Sequence, residues 1–285
     1  MDNMKICDID SLIKIIEEHK KDNENCELYF RGQSQHYEKV EPSIARNGYL
    51  ESEDILFKEY ILRNPDEFVG EKTTFEKLVK MQHYKLPTRL LDITSNPLIA
   101  LYFAVEKDED KDGELIIYCV PHQNIKYYDS DTVSAVSNIA KRAKDKLNIE
   151  SISRDKGEKE SDWIPRFNKE TDVQYLLHEI KEEKPYFKDC IKKEHLESIW
   201  CVKPLLKNRR IIKQDGSFLL FGINGTKEKV AQYKSDVFEP IRVSVAVKSK
   251  KTLKKNLELL GISKDKIYPE LDTTAEYLSE KYKKA

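Results

Sequence analysis

Residues 82–104 constrain this chain more than any other stretch. Gln82, His83, Tyr84, Thr88, Arg89, Asp92, Thr94 and Ser95 put eight side chains able to bind or transfer protons into fourteen residues. A largely apolar segment, residues 98–105, follows almost at once. Asn96-Pro97 marks where it turns helical, because proline is favoured in the first turn of a helix. The pattern reads as a polar loop and short strand delivered to a pocket by a buried helix. Lysine and glutamate dominate most of the remaining chain, so chemistry is expected here.

At 285 residues the chain can bury a substantial core, as one large domain or two small ones. Lys+Arg number 50 against 51 Asp+Glu, for a net charge of −1. That balance argues against a bulk electrostatic hold on nucleic acid or membrane and leaves room for a local basic patch. Cys7, Cys26, Cys119, Cys190 and Cys201 are scattered, with no CxxC pair and no His/Cys cluster at ligand spacing. They predict no metal site and a reducing cytosol. The acidic, quickly helical start does not read as a signal peptide, and no apolar run approaches the ~18 residues of a membrane span. The expectation is a soluble, cytoplasmic protein with no membrane partner.

Apolar periodicity predicts helices over 10–20, 53–62, 73–83, 98–105, 171–184, 252–260 and 274–282. Strands are predicted over 27–31, 114–120, 199–203, 218–223 and 241–247. Residues 21–25 form a polar turn, Gly261 sits just past a helix end, and the strongly charged 141–170 stretch is read as a helix and a mobile loop. Helices and strands alternate without a βαβ repeat. This favours an α+β fold: one domain over 8–282, with a mixed or antiparallel sheet, flanking helices and a charged insertion at about 141–170.

Four islands invite a chemical reading. In Tyr29-Phe30-Arg31-Gly32-Gln33 a strand ends in an arginine beside a glycine, a pairing that lets a guanidinium and the backbone approach a bulky anion. A strand-end arginine paired with a surface acid remains the alternative. Within 82–104, Arg89 and Asp92 either fix the loop by pairing with each other or serve a ligand. His83 is either a satisfied core histidine or a proton-transfer group. Thr94 and Ser95 either cap the next helix or hold a ribose or phosphate at its N-terminus. The third island, Arg209 to Phe218, places Gln214 and Asp215 before an apolar strand, with an ordinary edge strand and turn as the alternative. The fourth, residues 257–271, reads as structural. No Walker A loop, GxGxxG, GxSxG or HExxH is present, so ATP hydrolysis, dehydrogenase, esterase and zinc-protease chemistry lack support.

Together the islands resemble the FRG domain, a family named for an aromatic-Arg-Gly motif. The resemblance runs through Phe30-Arg31-Gly32-Gln33, Glu41-Pro42-Ser43-Ile44, Gln82-His83-Tyr84, Pro87-Thr88-Arg89-Leu90-Leu91-Asp92 and Thr94-Ser95-Asn96-Pro97. It continues at Arg210-Ile211, Gln214, Gly216, Phe218 and Tyr268-Pro269-Glu270-Leu271. A more distant similarity is to ADP-ribosyltransferases, which carry an early-strand arginine, a Ser-Thr-Ser-type strand before a helix, and a late glutamate. Arg31 resembles the first, Thr94-Ser95 the second, and Gln214 falls where the third would lie.

The resemblance implies an ADP-ribosyltransferase-like fold that binds NAD as substrate, without a metal. Arg31, Gly32, Gln33, Arg89, Thr94 and Ser95 would be the binding residues. Gln214 would hold the ribose, with Asp92 and His83 as further catalytic candidates. Such a protein would transfer or hydrolyse ADP-ribose, as an intracellular toxin or phage-defence effector acting on a protein or nucleic-acid acceptor. Gln214 supplies a hydrogen bond and no charge, so a non-catalytic nucleotide-sensing or protein-interaction module is the second reading. An RNA-directed enzyme using Arg209, Arg210 and Lys213 is the third.

Overall fold

The computed structural model describes residues 5–21, 25–235 and 237–283. In chain order these form β1 (Lys5–Ile6), α1 (Ile9–Lys21), β2 (Cys26–Gln33), α2 (Glu53–Arg63), α3 (Pro65–Phe68), α4 (Thr74–His83), β3 (Leu90–Thr94), α5 (Pro97–Val105) and β4 (Gly113–Pro121). Next come β5 (Ile125–Tyr127), α6 (Asp131–Asn138), α7 (Glu160–Phe167), α8 (Thr171–Glu183), α9 (Lys193–Leu196), β6 (Ile199–Lys203), α10 (Arg209–Lys213) and β7 (Gly216–Phe221). The chain closes with β8 (Ile223–Asn224), β9 (Thr226–Val230), β10 (Ile241–Val245), α11 (Lys250–Leu259), α12 (Lys264–Ile267) and α13 (Leu271–Tyr282).

Eight strands make one sheet in the order β1-β10-β4-β2-β3-β7-β6-β5. β1 pairs parallel with β10 and β5 with β6, while the remaining ladders are antiparallel. The sheet is therefore mixed and the architecture α+β. β2 and β4 are laddered along the whole of β2, from Cys26 opposite Pro121 to Gln33 opposite Glu114. β3 and β7 are laddered from Leu90 opposite Leu220 to Thr94 opposite Gly216. Between these two blocks, β2 and β3 share a single register pair, Phe30 opposite Thr94.

Strand alternation decides which side chains go where. Tyr29, Leu91, Ile93, Ile116, Tyr118, Leu219 and Phe221 join one buried cluster that draws on strands from both blocks. Their neighbours in register divide into two clusters. Phe30, Leu115 and Ile117 pack with α5. Leu90, Phe218 and Leu220 pack with α4, α6 and α8.

Two helices position the site. α5 begins at Pro97 with Asn96 as its cap, whose Oδ1 accepts the Leu98 N–H at 3.0 Å. It lies directly on the sheet, because a Cβ at Gly32 would sit 1.8 Å from the Ala100 carbonyl oxygen and one at Gly113 2.2 Å from that of Ala104. α4 starts with a capping box. Thr73 Oγ1 accepts the Glu76 N–H at 3.2 Å, and Glu76 Oε2 accepts the Thr73 N–H at 3.1 Å. Phe75, Leu78 and Met81 are buried, each contributing about 1.5–3 kcal/mol, and they carry Gln82 and His83 in the last turn to the sheet.

Three expectations from the sequence need correction. The first strand does not stop at Arg31 but runs to Gln33, which puts Gly32 under α5. Residues 209–218 are not an edge strand and turn: Asn208 caps the short α10, its Oδ1 accepting the Arg210 N–H at 2.8 Å, and β7 lies inside the sheet between β3 and β6. In 141–170 the α-helix is confined to α7, and the loop before it is anchored to the core at its start. Leu147 and Ile149 are fully buried, and the Ile149 N–H donates to the Gly225 carbonyl at 2.8 Å. Gly261 does sit past α11 with φ 83°. Positions 22–24 of the expected polar turn lie outside the described residues. No helix among the described residues is long and apolar enough to cross a membrane.

Candidate functional site

Past the Phe30–Thr94 pair β2 and β3 part, and Arg31 bridges the gap: its Nη1 donates to the backbone carbonyl of Asp92 at 2.8 Å. Arg31 makes no ion pair among the described residues, and its buried Nε has no hydrogen-bond partner. A buried donor left unpaired costs about 1–3 kcal/mol, so the strand, and not a full set of its own bonds, holds this guanidinium in place. It lines a cleft of about 200 Å³ with Gly32, Asp92, Thr94, Gln214 and Arg210.

That cleft does not stand alone. A neighbouring cavity of about 320 Å³ shares Asp92, Ile93, Arg210 and Gln214 with it and adds Gln82 and His83. A third, of about 790 Å³, opens beyond His83 and Arg210 toward Tyr268, Glu270 and the first residues of α13. Arg210 borders all three, so they form one groove with this arginine at the junction. Its guanidinium lies 4.9 Å from the centre of the Tyr268 ring, a cation–π arrangement, and 4.0 Å from Glu270 Oε1. Burial, and next the Arg210 charge, hold the His83 imidazole below its ordinary value, against a smaller opposing pull from Glu270. Burial, followed by the Glu106 carboxylate that accepts its proton at 3.0 Å, pushes the Tyr268 hydroxyl up.

Comparison with protein families matches the FRG domain model to residues 26–113. Residues 26–113 are an FRG domain. No curated protein and no solved structure matches the chain. The FRG match takes in β2, α4, β3 and α5. It leaves outside Arg210, Gln214 and Glu270, which close the groove from the C-terminal half.

Within the FRG domain the aromatic-Arg-Gly motif divides its work among consecutive residues. Phe30 enters the core beside α5, Arg31 faces the cleft, and Gly32 seats α5. Arg31, Gly32, Asp92 and Thr94 meet Gln214 in the cleft, and His83 joins them one cavity along. Thr94 lines the wall with its hydroxyl already engaged, donating to the Gln214 carbonyl at 2.7 Å and accepting the Asn96 N–H at 3.0 Å. The Gln214 amide donates to the Ile267 carbonyl at 3.2 Å.

Three expected site residues lie elsewhere. Gln33 turns its amide to Glu114 Oε2 at 3.0 Å, on a buried carboxylate that Arg242 also reaches at 3.0 Å. Ser95 is exposed and borders none of the three cavities. It does not cap α5 either, a role that falls to Asn96.

Arg89 is 0% exposed. Its Nε donates to Glu53 Oε1 at 2.8 Å, its Nη1 to the Phe221 carbonyl at 2.8 Å, and its Nη2 to Glu53 Oε2. The expected Arg89–Asp92 pair is therefore absent. Residues three apart along extended chain point to opposite faces, and only a helix would bring them together.

The sequence reading passed over Arg210 as a partner of Arg31 and gave Glu270 no role. Their signal was present in the Arg210-Ile211 and Tyr268-Pro269-Glu270 strings, whose convergence depends on α10 and α12 packing together.

Proposed function

We propose that the groove binds NAD or a related nucleotide and that the protein transfers or hydrolyses ADP-ribose. The observation that carries this reading is Arg31: a part-buried guanidinium with no carboxylate partner among the described residues, on the wall of a cleft that a second arginine, Arg210, also borders. Two cations facing one cleft suit a diphosphate. The residue resemblance to ADP-ribosyltransferases adds Gln214 at the position of their glutamate. In the reaction the bond between the ribose C1′ and the nicotinamide nitrogen breaks, nicotinamide leaves with the bonding electrons, and water or an acceptor nucleophile forms the new bond to C1′. The 790 Å³ cleft beyond His83 is the natural entry for an acceptor.

One observation favours a second reading, a nucleotide-sensing module without turnover. Gln214 cannot bring negative charge to an oxocarbenium-like transition state, and its amide is tied to the Ile267 carbonyl. Calorimetry of the full chain with NAD, together with an assay for free nicotinamide, separates the readings. Binding with release that Arg31→Ala abolishes supports the enzyme. Binding without release supports the sensor. Absence of both overturns the nucleotide reading.

A further inference from the structure

The stretch from Gln82 to Asp92 contains a chain of directed hydrogen bonds. The Leu90 N–H donates to Thr88 Oγ1 at 3.1 Å, and the Thr88 hydroxyl donates to Gln82 Oε1 at 2.7 Å. Gln82 Nε2 then donates to Asp92 Oδ2 at 2.9 Å. Thr88 is 1% exposed, and its oxygen already accepts from Leu90, so its one proton goes to Gln82. That fixes which end of the Gln82 amide faces Asp92. It presents an N–H, and the Asp92 carboxylate can meet it only as an acceptor.

The loop that carries Thr88 is itself held. The Thr88 N–H donates to Ser43 Oγ at 3.2 Å, and the Thr88 carbonyl accepts the Ile44 N–H at 3.2 Å. Lys85, at its start, adopts a left-handed φ of 66°, a conformation that costs a non-glycine residue energy and is retained where surrounding structure imposes it. One carboxylate oxygen is thus pinned. The other, Oδ1, has no partner among the described residues, and Asp92 is exposed to both the 200 Å³ and 320 Å³ cavities.

We infer that Asp92 is the sugar-binding carboxylate of this groove, accepting from the vicinal hydroxyls of a 5′-phosphorylated ribose, with Gln82 and Thr88 as its positioning residues. The inference rests on the nucleotide reading and deepens it. Arg31 and Arg210 border the same cleft as Asp92 and repel a cationic ligand, so the donors that Asp92 receives must be neutral. They must also belong to a molecule whose anionic part satisfies the arginines. A phosphate with adjacent hydroxyls meets both conditions. An analogue lacking the hydroxyl forfeits that bond to Asp92, and because Asp92 is exposed, water takes the vacated place and the discrimination is moderate.

The test is titration of the full chain with inorganic pyrophosphate, ribose 5-phosphate and 2-deoxyribose 5-phosphate, followed by ligand-observed NMR. The wild-type protein is expected to prefer ribose 5-phosphate over its 2-deoxy analogue by about tenfold or more. Asp92→Asn should reduce that preference to within about twofold without weakening pyrophosphate, since a carboxylate beside the two arginines opposes that anion. Thr88→Val should weaken the preference and Thr88→Ser restore it, a rescue that a purely packing role would not give. Wild-type binding of pyrophosphate without any sugar preference overturns the Asp92 assignment and leaves the arginine site standing. So does a preference that Asp92→Asn leaves intact, or an equal loss for all three ligands. If none of the three binds, the nucleotide reading falls with it.

Discussion

Gly32→Ala tests how the helix and the sheet are joined at the site. The added Cβ would lie 1.8 Å from the Ala100 carbonyl oxygen and 2.8 Å from both the Ala100 carbonyl carbon and the Ala104 nitrogen. All three atoms are backbone, so no side chain can rotate out of the way. Reaching even 3.0 Å requires α5 to withdraw by about 1.2 Å, the difference between 3.0 and 1.8. α5 carries six buried residues, Ile99, Ala100, Leu101, Tyr102, Ala104 and Val105, and the withdrawal would loosen all of them. Overpacking costs about 1–3 kcal/mol where neighbours can adjust, and a backbone collision belongs at or above the upper end.

At roughly 2 °C per kcal/mol for a chain of this size, the melting temperature should fall by at least about 6 °C. Gly70→Ala is the control, since a Cβ there meets nothing within 4 Å, and it should stay within about 0.5 kcal/mol of wild type. Thermal denaturation followed by circular dichroism measures both. If Gly32→Ala melts alongside Gly70→Ala, the close seating of α5 on β2 is wrong.

Two further outcomes follow from groups around the groove. Arg89→Met takes from the buried Glu53 one of its two cations, leaving Lys227, and takes from the Phe221 carbonyl its guanidinium donor. It should cost about 3 kcal/mol in urea unfolding, the lower end for a broken buried pair. Nucleotide affinity of the folded fraction should not change, and a selective loss of binding would return Arg89 to the site. His83 has its folded value depressed by burial and by Arg210. Its contribution to stability is therefore complete above its ordinary value of 6.5 and is lost as pH falls through the lowered folded value. His83→Gln should flatten the acid limb of a stability–pH profile below pH 6.5, and superimposable slopes for variant and wild type would contradict this.

Legibility of the sequence followed the range of the forces involved. Helices with a strong apolar period, α1, α4 and α8, and the apolar strands β4 and β6 were readable because one local pattern determines each. The α10 segment was not, because a five-residue helix has too few turns to show a period and depends on the Asn208 cap. Arg89 was misassigned because its partner, Glu53, stands 36 positions away and Asp92 only three. Arg31, Asp92 and Gln214 were each visible as candidates. The family resemblance grouped them in one site, while the residues alone did not show the meeting, since it depends on β3 pairing with β7 and on β2 parting from β3 after one residue.

That brief contact between β2 and β3 has a mechanical consequence. β1, β10, β4 and β2 form one wing, and β3, β7, β6 and β5 the other. On one surface a continuous apolar layer spans both wings, whereas on the other each wing carries its own separate layer. Apolar packing across the join is therefore continuous on one surface only, and a flexing about that layer would spread the opposite surface. Arg31 belongs to one wing and Arg210, through α10 on β7, to the other, so the same flexing sets the distance between the two guanidinium groups. An anion gripped by both arginines would serve as the rung that the backbone omits, and binding it would stiffen the whole sheet.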